Sequence, residues 1–446
     1  YPHEYPGWGL RDDYPNTAYW LDKPKLLDVY PREVWFWRRD KPLYIGEYLW
    51  MPHQGSYDFP TALVGEGAYA DYWPHHWKAK EIAWWFQTWA YRYYRVVGMC
   101  PWSTIGDKLW NITREIYRPI AVYVMEYDVR FFGGESVQRT ILVFNDMLHE
   151  SKLNLAWRLV LEGCGVVQRG EEEFAAKPAE VKKLTVELKL PEVEKLTPAY
   201  FILELRCGAE LVHNVTKVYW IYPRERLDPA QVTLRIGLYD PVGVTKNVFD
   251  AIGLKYKLLS NLNDLSGLDV LFIGYHALKG EGDLAEYGDL VLSFVKRGGT
   301  LILFEQVALP RWLPAKVSTA PRNSTIAFVT LPPHPILEGV SSQEELRFWR
   351  GDHYVSRFDS VKPFHGNVRP IVVSGVGLQY SPLFEVSHGA GKILVCQLLV
   401  TEKYGRDPVA TLIFHNTIRY YAGTKHTFEA KSTLLVAPER SELREA

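Results

Sequence analysis

The chain has 446 residues, too many for one hydrophobic core, so length alone suggests about three domains. Lys and Arg total 51 against 52 Asp and Glu, and this balance indicates neither nucleic acid nor an anionic membrane as a partner. Four cysteines exclude a disulfide framework, and no apolar run reaches the roughly 18 residues of a membrane span. The 16 Trp and 28 Tyr suit aromatic stacking surfaces as well as the cores of a heat-tolerant protein.

Residues 1–118 alternate between predicted strands and helices, the pattern of repeated strand-helix-strand units. The predicted elements are a helix at 31–37, a strand at 41–48, a long helix at 77–94 and a strand at 96–102. In the long helix an apolar face recurs at helical spacing, formed by Ile82, Trp85, Phe86 and Trp89. We therefore expect this helix to cover a sheet.

The remaining chain divides into two patterns and a tail. Residues 119–226 contain short alternating strands and predict a β-sandwich, in which the acidic run 171–173 is interpreted as a solvated loop. Cys164 and Cys207 both lie in this segment and could form a disulfide bond. Residues 227–424 alternate buried strands with helices, which predicts a doubly wound parallel sheet. The charged tail 425–446 contains one predicted strand, at 427–436.

The strongest chemical signal is the segment KPLYIGEY, residues 41–48, an apolar strand that runs into Glu47. Eight-stranded barrels keep their active sites at the carboxyl ends of their strands, which is where such a carboxylate belongs. One helix later the segment GMCPWS, residues 98–103, would bring Trp102 to the same rim. Two plainer interpretations remain: Glu47 could pair with an Arg beside the strand, and Trp102 could be a core residue.

These two segments resemble strands seven and eight of the barrel in retaining glycoside hydrolases, in the large clan that includes β-galactosidases, β-mannosidases, β-glucuronidases and cellulases. The resemblance implies that residues 1–118 are the C-terminal part of a (β/α)8 (TIM) barrel acting on a β-linked carbohydrate, with no cofactor and no metal. It implies that Glu47 is the catalytic nucleophile and that Trp102 is a sugar-binding platform.

Further substrate-binding residues are predicted around these strands. Tyr48 and Trp50 follow the nucleophile, and His53 and Gln54 lie in the loop that would overhang the cleft. His3 and Glu4 fall where the resemblance places the end of strand six, and Glu4 is the other carboxylate considered for catalysis.

A retaining mechanism needs a second carboxyl group about 5 to 5.5 Å from the nucleophile. In the clan this acid/base Glu follows an Asn, and no Asn-Glu pair precedes Glu47. We therefore expect the other barrel strands to lie on a partner polypeptide or on another part of a precursor. Without that partner, strand edges and the apolar face of the long helix would be exposed. The alternative is a non-catalytic carbohydrate-binding or assembly subunit, in which a decayed barrel keeps only its sugar-stacking face.

The middle segment resembles the immunoglobulin-like sandwich that follows the barrel in many such hydrolases. The third segment resembles the flavodoxin-like, class I amidotransferase-like module that serves as the assembly domain of some β-galactosidases, on motifs such as 269–274 and 296–301. This likeness implies that the chain could form a homo-oligomer.

The residues of an amidotransferase are not in place, however. The strand 300–304 runs into Glu305 and Gln306 instead of a nucleophilic Cys, and Cys396 falls within a late strand. His334 and His353 have no second ligand at metal-binding spacing. Sequons at Asn111, Asn214 and Asn323 are compatible with an extracellular location, which we favour over a cytoplasmic one.

Overall fold

The computed structural model describes residues 40–42, 44–48, 61–70, 72–93, 95, 98–101, 110–340, 345–363 and 366–425. The predicted helix at 31–37 and the predicted strand at 427–436 lie outside these ranges. Strands predominate over helices in the described ranges, and the mixture agrees with the predicted α/β and β class. No helix among these residues is long and apolar enough to cross a bilayer.

The first part of the chain contains a parallel pair of strands joined through helices. Its elements are β1 (Tyr44–Tyr48), α1 (Thr61–Val64), α2 (Gly67–Ala70), α3 (Tyr72–Tyr93), β2 (Gly98–Pro101) and α4 (Trp110–Ile116). Tyr44 pairs with Gly98 and Tyr48 with Pro101, with an irregularity in between. Because parallel neighbours need a crossover connection, β1, α3 and β2 form the βαβ unit that the sequence predicts.

Eight strands follow and form two facing sheets. They are β3 (Ile120–Val124), β4 (Arg130–Phe132), β5 (Ser136–Asn145), β6 (Ser151–Leu161), β7 (Gly165–Ala176), β8 (Glu180–Lys189), β9 (Thr197–Cys207) and β10 (Glu210–Tyr222). One sheet has the order β3-β5-β8 and the other β4-β10-β9-β6-β7. Alternate side chains of each sheet enter one shared core, including Val122 and Ile141 from the first and Leu155 and Phe201 from the second. The sequence alternation is thus explained by two sheets that each bury one face.

Two expectations about this region are wrong. The acidic run Glu171 to Glu173 is exposed but lies within β7, an edge strand, and not in a loop. Cys164 and Cys207 are both free. The pairing of β6 with β9 places Leu161 opposite Ala199 and Leu153 opposite Cys207, so the two cysteines lie near opposite ends of the sheet. A disulfide requires Cα atoms closer than about 7 Å, which this arrangement prevents.

The third region is a large sheet with helices against it. Its elements are β11 (Ile236–Tyr239), α5 (Val244–Ile252), β12 (Lys257–Leu258), β13 (Val270–Ile273), α6 (Gly288–Lys296), β14 (Thr300–Phe304), β15 (Thr319–Ser324), β16 (Phe328–Val329), β17 (Ser356–Val361), β18 (Val368–Ser374), β19 (Tyr380–His388), β20 (Gly391–Cys396) and α7 (Pro408–Ile418). The strands β12-β11-β13-β14-β20 are parallel in that order. Antiparallel strands β19, β17 and β15 extend the sheet, and β18 joins β19 and β16.

The inner parallel strands β11, β13, β14 and β20 are buried on both faces, which accounts for their nearly continuous apolar sequences, whereas the edge strand β12 is exposed. All five residues of β14 are buried. Ile302 and Phe304 pack into the core that contains Phe414 of α7, whereas Leu301 and Leu303 pack into the core that contains α6. Before β14 the chain turns at Gly298, whose φ of 101° is unfavourable for other residues.

Helix α3 packs against the first sheet of the sandwich. Trp89 is 1% exposed, and its ring stacks on Tyr123 of β3 at a centroid distance of 4.6 Å and contacts Phe144 at 5.4 Å. Arg92 donates hydrogen bonds of 2.8 Å to the carbonyls of Ile116 and Arg118. The expectation that this helix face would be exposed without a partner chain is therefore wrong for Trp89, because the sandwich covers it.

This packing predicts that Trp89→Ala destabilises the protein by about 3 to 5 kcal/mol, the usual cost of removing a buried aromatic side chain. The free energy of unfolding should be measured by urea denaturation. Trp110→Ala is the control, because Trp110 is 55% exposed and should change stability by no more than about 0.5 kcal/mol. Equal effects of the two substitutions would contradict the docking of α3 on the sandwich.

Candidate functional site

The parallel pairing of β1 with β2 determines where the predicted nucleophile, Glu47, lies in the fold. Glu47 is the last but one residue of β1, and Tyr48, which ends the strand, pairs with Pro101 at the end of β2. Trp102 follows Pro101 directly. Parallel strands have their carboxyl ends at the same edge, so the backbone of Glu47 lies at the same edge of the pair as Pro101, the residue before Trp102 in the sequence.

The structure describes the backbone of Glu47 and Tyr48 but not the positions of their side chains. The other predicted site residues lie outside the described ranges: His3, Glu4, Trp50, His53, Gln54 and Trp102. Their roles therefore remain predictions.

A second candidate site lies at the carboxyl edge of the parallel sheet, where open α/β sheets commonly bind ligands. Four neighbouring strands end there in polar or small residues: Asp240 after β11, Gly274 after β13, Glu305 after β14 and Gln397 after β20. The Asp240 carboxylate accepts hydrogen bonds from the backbone N–H of Gly243 at 3.1 Å and of Lys246 at 2.7 Å. The Asp240 side chain therefore caps the start of α5.

Glu305 is a buried carboxyl group at the centre of this edge. It is 2% exposed, and its Oε1 accepts hydrogen bonds from the backbone N–H of Thr401 at 2.8 Å and of Glu402 at 3.3 Å. Its Oε2 makes no hydrogen bond to any residue in the described ranges. Burial raises the pKa of Glu305 to about 8, because an ionised carboxylate is poorly solvated here. At neutral pH Glu305 is consequently a neutral acid.

Gln306 fixes the turn that follows Glu305. Its backbone N–H donates to Oε1 of Gln397 at 2.6 Å, and Nε2 of Gln397 donates back to the Gln306 carbonyl at 2.9 Å. The Gln306 side chain donates to the Gly274 carbonyl at 2.7 Å and accepts from the N–H of Leu278 at 2.8 Å. Both amide groups are thus used to hold three strand ends together, and Gln306 is a structural residue.

Cys396 does not supply the nucleophile of an amidotransferase. It is the last residue of β20 and is fully buried, and burial raises the pKa of its thiol well above the ordinary value. Only the thiolate is a strong nucleophile, so this environment suppresses its reactivity. Glu305, which follows the central strand, occupies the place where that chemistry would require a thiol.

A network of charged side chains surrounds the edge. Arg357 donates hydrogen bonds to Glu402 at 2.9 Å and to Asp352 at 2.5 Å, and Lys403 donates to Asp352 at 2.7 Å. The hydroxyl of Tyr275 donates to Glu402 at 3.2 Å. Burial acts to raise the pKa of Glu402, but the hydrogen bond and charge of Arg357 outweigh it, so the pKa is lowered. This network was not predicted from the sequence, because its members come from separate loops. The only sequence signal for it was the polar residues at the strand ends.

The two histidines considered as metal ligands have other contacts. Nδ1 of His334 accepts a hydrogen bond of 3.3 Å from the N–H of Ile336, and Nε2 lies 3.7 Å from Glu385. His353 packs edge-on against Tyr127, with ring centroids 5.9 Å apart. Among the residues that the structure describes, no group of three His, Cys, Asp or Glu could hold a metal ion.

No protein-family model matches the chain, and no curated protein matches it. Solved structures that align with parts of it include beta-glucuronidase 2 from Bacteroides uniformis, at 12% identity over 43% of this chain and 24% of that one, with a TM-score of 0.19. A Paenibacillus cycloisomaltooligosaccharide glucanotransferase aligns at 10% identity over 45% of this chain and 29% of that one, with a TM-score of 0.21. A superoxide reductase from Ignicoccus hospitalis aligns at 17% identity over 25% of this chain and 85% of that one, with a TM-score of 0.19. Alignments with such TM-scores establish neither a fold nor a function for this chain.

The buried acid Glu305 predicts a pH dependence of stability. Its native pKa of about 8 lies above the ordinary value of 4.5, so between these values the unfolded chain ionises while the native chain stays protonated. Stability therefore falls as pH rises through this window, by up to about 1.4 kcal/mol per pH unit from this group. Glu305→Gln should remove that slope, so its stability relative to wild type should improve from pH 5 to pH 8.

Denaturant unfolding at several pH values measures this difference. Glu194→Gln is the matched control, because Glu194 is exposed and its substitution should leave the slope unchanged. If the free energies of unfolding of Glu305→Gln and wild type differed by the same amount at every pH in the window, Glu305 would be ionised in the native state.

Proposed function

We propose that this chain is part of a retaining glycoside hydrolase that cleaves β-linked sugars, with Glu47 as its nucleophile. The observation that supports this most is the parallel pairing of β1 with β2 through α3, because it gives the segments carrying Glu47 and Trp102 one common edge. That is the arrangement of neighbouring strands in a (β/α)8 barrel, whose carboxyl edge carries the catalytic residues.

In the proposed reaction, the Glu47 carboxylate attacks the anomeric carbon and displaces the leaving group, which forms a covalent glycosyl-enzyme. A second carboxyl group protonates the leaving oxygen, and the same group then deprotonates the water that releases the sugar. We propose that this acid/base belongs to barrel strands on a partner polypeptide or another segment of the protein. Trp102 would stack on the sugar ring, and the remaining predicted contacts are Tyr48, Trp50, His53, Gln54, His3 and Glu4.

The rest of the chain is proposed to be a scaffold. We assign residues 119–226 to an immunoglobulin-like sandwich and residues 227–424 to an amidotransferase-like module without the amidotransferase nucleophile, followed by the tail 425–446. The shared core of the two sheets and the parallel strand order β12-β11-β13-β14-β20 support this division. Self-association through the third region is part of the same proposal.

Glu47→Gln should abolish hydrolysis of an aryl β-glycoside by the full-length protein while the fold is kept, since the substitution retains shape and removes only the charge. Glu47→Gly should regain turnover with added azide, because the small anion replaces the missing nucleophile. Glu66→Gln is the control, as Glu66 is exposed in the same part of the chain and should leave turnover unchanged. Full activity of Glu47→Gln would assign the nucleophile elsewhere, and sugar binding without any hydrolysis by wild type in the presence of the segment that carries the other barrel strands would favour a binding subunit.

Trp102→Ala should weaken sugar binding by about 1 to 3 kcal/mol through loss of stacking and burial. Titration calorimetry with a substrate sugar measures the change, and Trp110→Ala serves as an exposed-Trp control. Unchanged affinity together with a lower melting temperature would make Trp102 a core residue.

A further inference from the structure

A cavity of about 410 Å³ lies where the sandwich meets the third region. Three segments line it: the turn before β5, the loop before β17 and the loop between β20 and α7. The lining residues are Glu135, Arg350, Gly351, Asp352, Glu402, Lys403, Gly405 and Arg406. Its volume falls within the usual range for small-molecule sites.

The charged groups of the lining are held in place by one another. Glu135 accepts hydrogen bonds from Arg350 and, at 2.9 Å, from Arg224. Lys403, which is 5% exposed, donates 2.7 Å hydrogen bonds to Asp352 and to the Tyr354 carbonyl and one of 3.4 Å to the Trp349 carbonyl, so it orients Asp352 with all three of its donors in use. A ligand would therefore meet donors and acceptors that are already oriented, which lowers the entropy lost on binding.

Glu305 holds in place the loop that forms one side of the cavity. By accepting the N–H groups of Thr401 and Glu402, its buried carboxyl group fixes the start of the loop that carries Glu402, Lys403 and Arg406. The side chain of Glu402 is then fixed by Arg357. The buried acid at the sheet edge is thus a positioning residue for one wall of the cavity.

Two glycines keep the cavity open. Gly351 and Gly405 have φ values of 90° and 71°, and no atom lies within 4 Å of the position that a Cβ would occupy in either. Both residues line the cavity, so a side chain at either one would extend into unfilled space.

One cation of the lining has no carboxylate partner, because Glu402 pairs with Arg357 outside the lining. Each of the three carboxylates, Glu135, Asp352 and Glu402, has an Arg or Lys partner. Arg406 is exposed and forms no ion pair with residues of the described part of the chain. The rim therefore offers one uncompensated guanidinium, while the interior offers fixed polar groups.

This combination selects the chemistry of a ligand. The three carboxylates of the lining balance its three cations, so a polyanion such as a nucleotide would gain no net attraction, and an apolar ligand would desolvate charged groups without replacing their hydrogen bonds. Hydroxyl groups can donate to the carboxylates of Asp352 and Glu402, whose oxygens have lone pairs beyond those used by Arg357 and Lys403. One ligand carboxylate would pair with Arg406 in the geometry that a guanidinium prefers.

We propose that this cavity binds a carboxylated monosaccharide of the uronic acid type, with its carboxylate on Arg406 and its hydroxyl groups on Asp352 and Glu402. The site is separate from the barrel strands, and the proposal does not depend on the hydrolytic function of Glu47.

Titration calorimetry of the full chain with D-glucuronate tests the proposal. Wild type should bind glucuronate saturably, and glucose and acetate, which lack the carboxylate and the hydroxyl groups respectively, should each bind at least about tenfold more weakly. Arg406→Gln should weaken glucuronate binding about tenfold or more, as expected for loss of a charge-assisted hydrogen bond. Arg297→Gln, a substitution of another exposed Arg, should not change it.

Further variants locate the binding site. Lys403→Met should weaken glucuronate binding, because Asp352 would lose the side chain that orients it, whereas Glu66→Gln, at an exposed residue between β1 and α3, should bind glucuronate as wild type does. No saturable binding by wild type, or binding by Arg406→Gln as tight as that of wild type, would each overturn the proposal. Acetate binding as tight as glucuronate binding would overturn it too, since the site would then select only a carboxylate.

Discussion

The contacts of Arg350 hold together the two larger parts of the structure. Its guanidinium donates to Glu135 of the sandwich and lies 3.8 Å from Asp128, and its backbone N–H donates to Asp407 at 3.1 Å. Asp407 in turn caps α7 by accepting from the N–H groups of Val409 and Ala410. One residue thus links a turn of the sandwich, a loop of the large sheet and the start of its last helix. The cavity beside Arg350 is lined by the turn before β5, the loop before β17 and the loop that leads into α7.

A strand could be predicted from the sequence where all of its residues are buried or where buried and exposed residues alternate strictly. The run 300–304 was predicted as a strand and is one, because Thr300 and four apolar residues lie between two glycines and a carboxylate. Strand β7 was missed because its edge position leaves most of its residues exposed, so charged residues fill positions that would be apolar in a central strand. Strand β4 has only three residues and shows no periodicity.

Much less of the candidate sites than of the strand arrangement could be predicted from the sequence. The position of Glu305 after a buried strand is visible in sequence, but its hydrogen-bond partner Thr401 is 96 residues away. The pair Arg350 and Glu135 is separated by 215 residues and joins two regions with different patterns. Periodicity shows that one face of α3 is apolar without showing what covers it, and Tyr123 and Phe144 of the sandwich do so. Tertiary contacts of this kind have no local signal.

The edge strand β7 limits how two copies of the chain could associate. It exposes Glu171, Glu172 and Glu173 in succession. Pairing of this edge with the same edge of a second copy would extend the sheet, but in the registers that place these runs opposite each other the carboxylates of the two copies would lie close together, and like charges across a strand pair are destabilising. The acidic edge of the sandwich therefore opposes this one geometry of self-association.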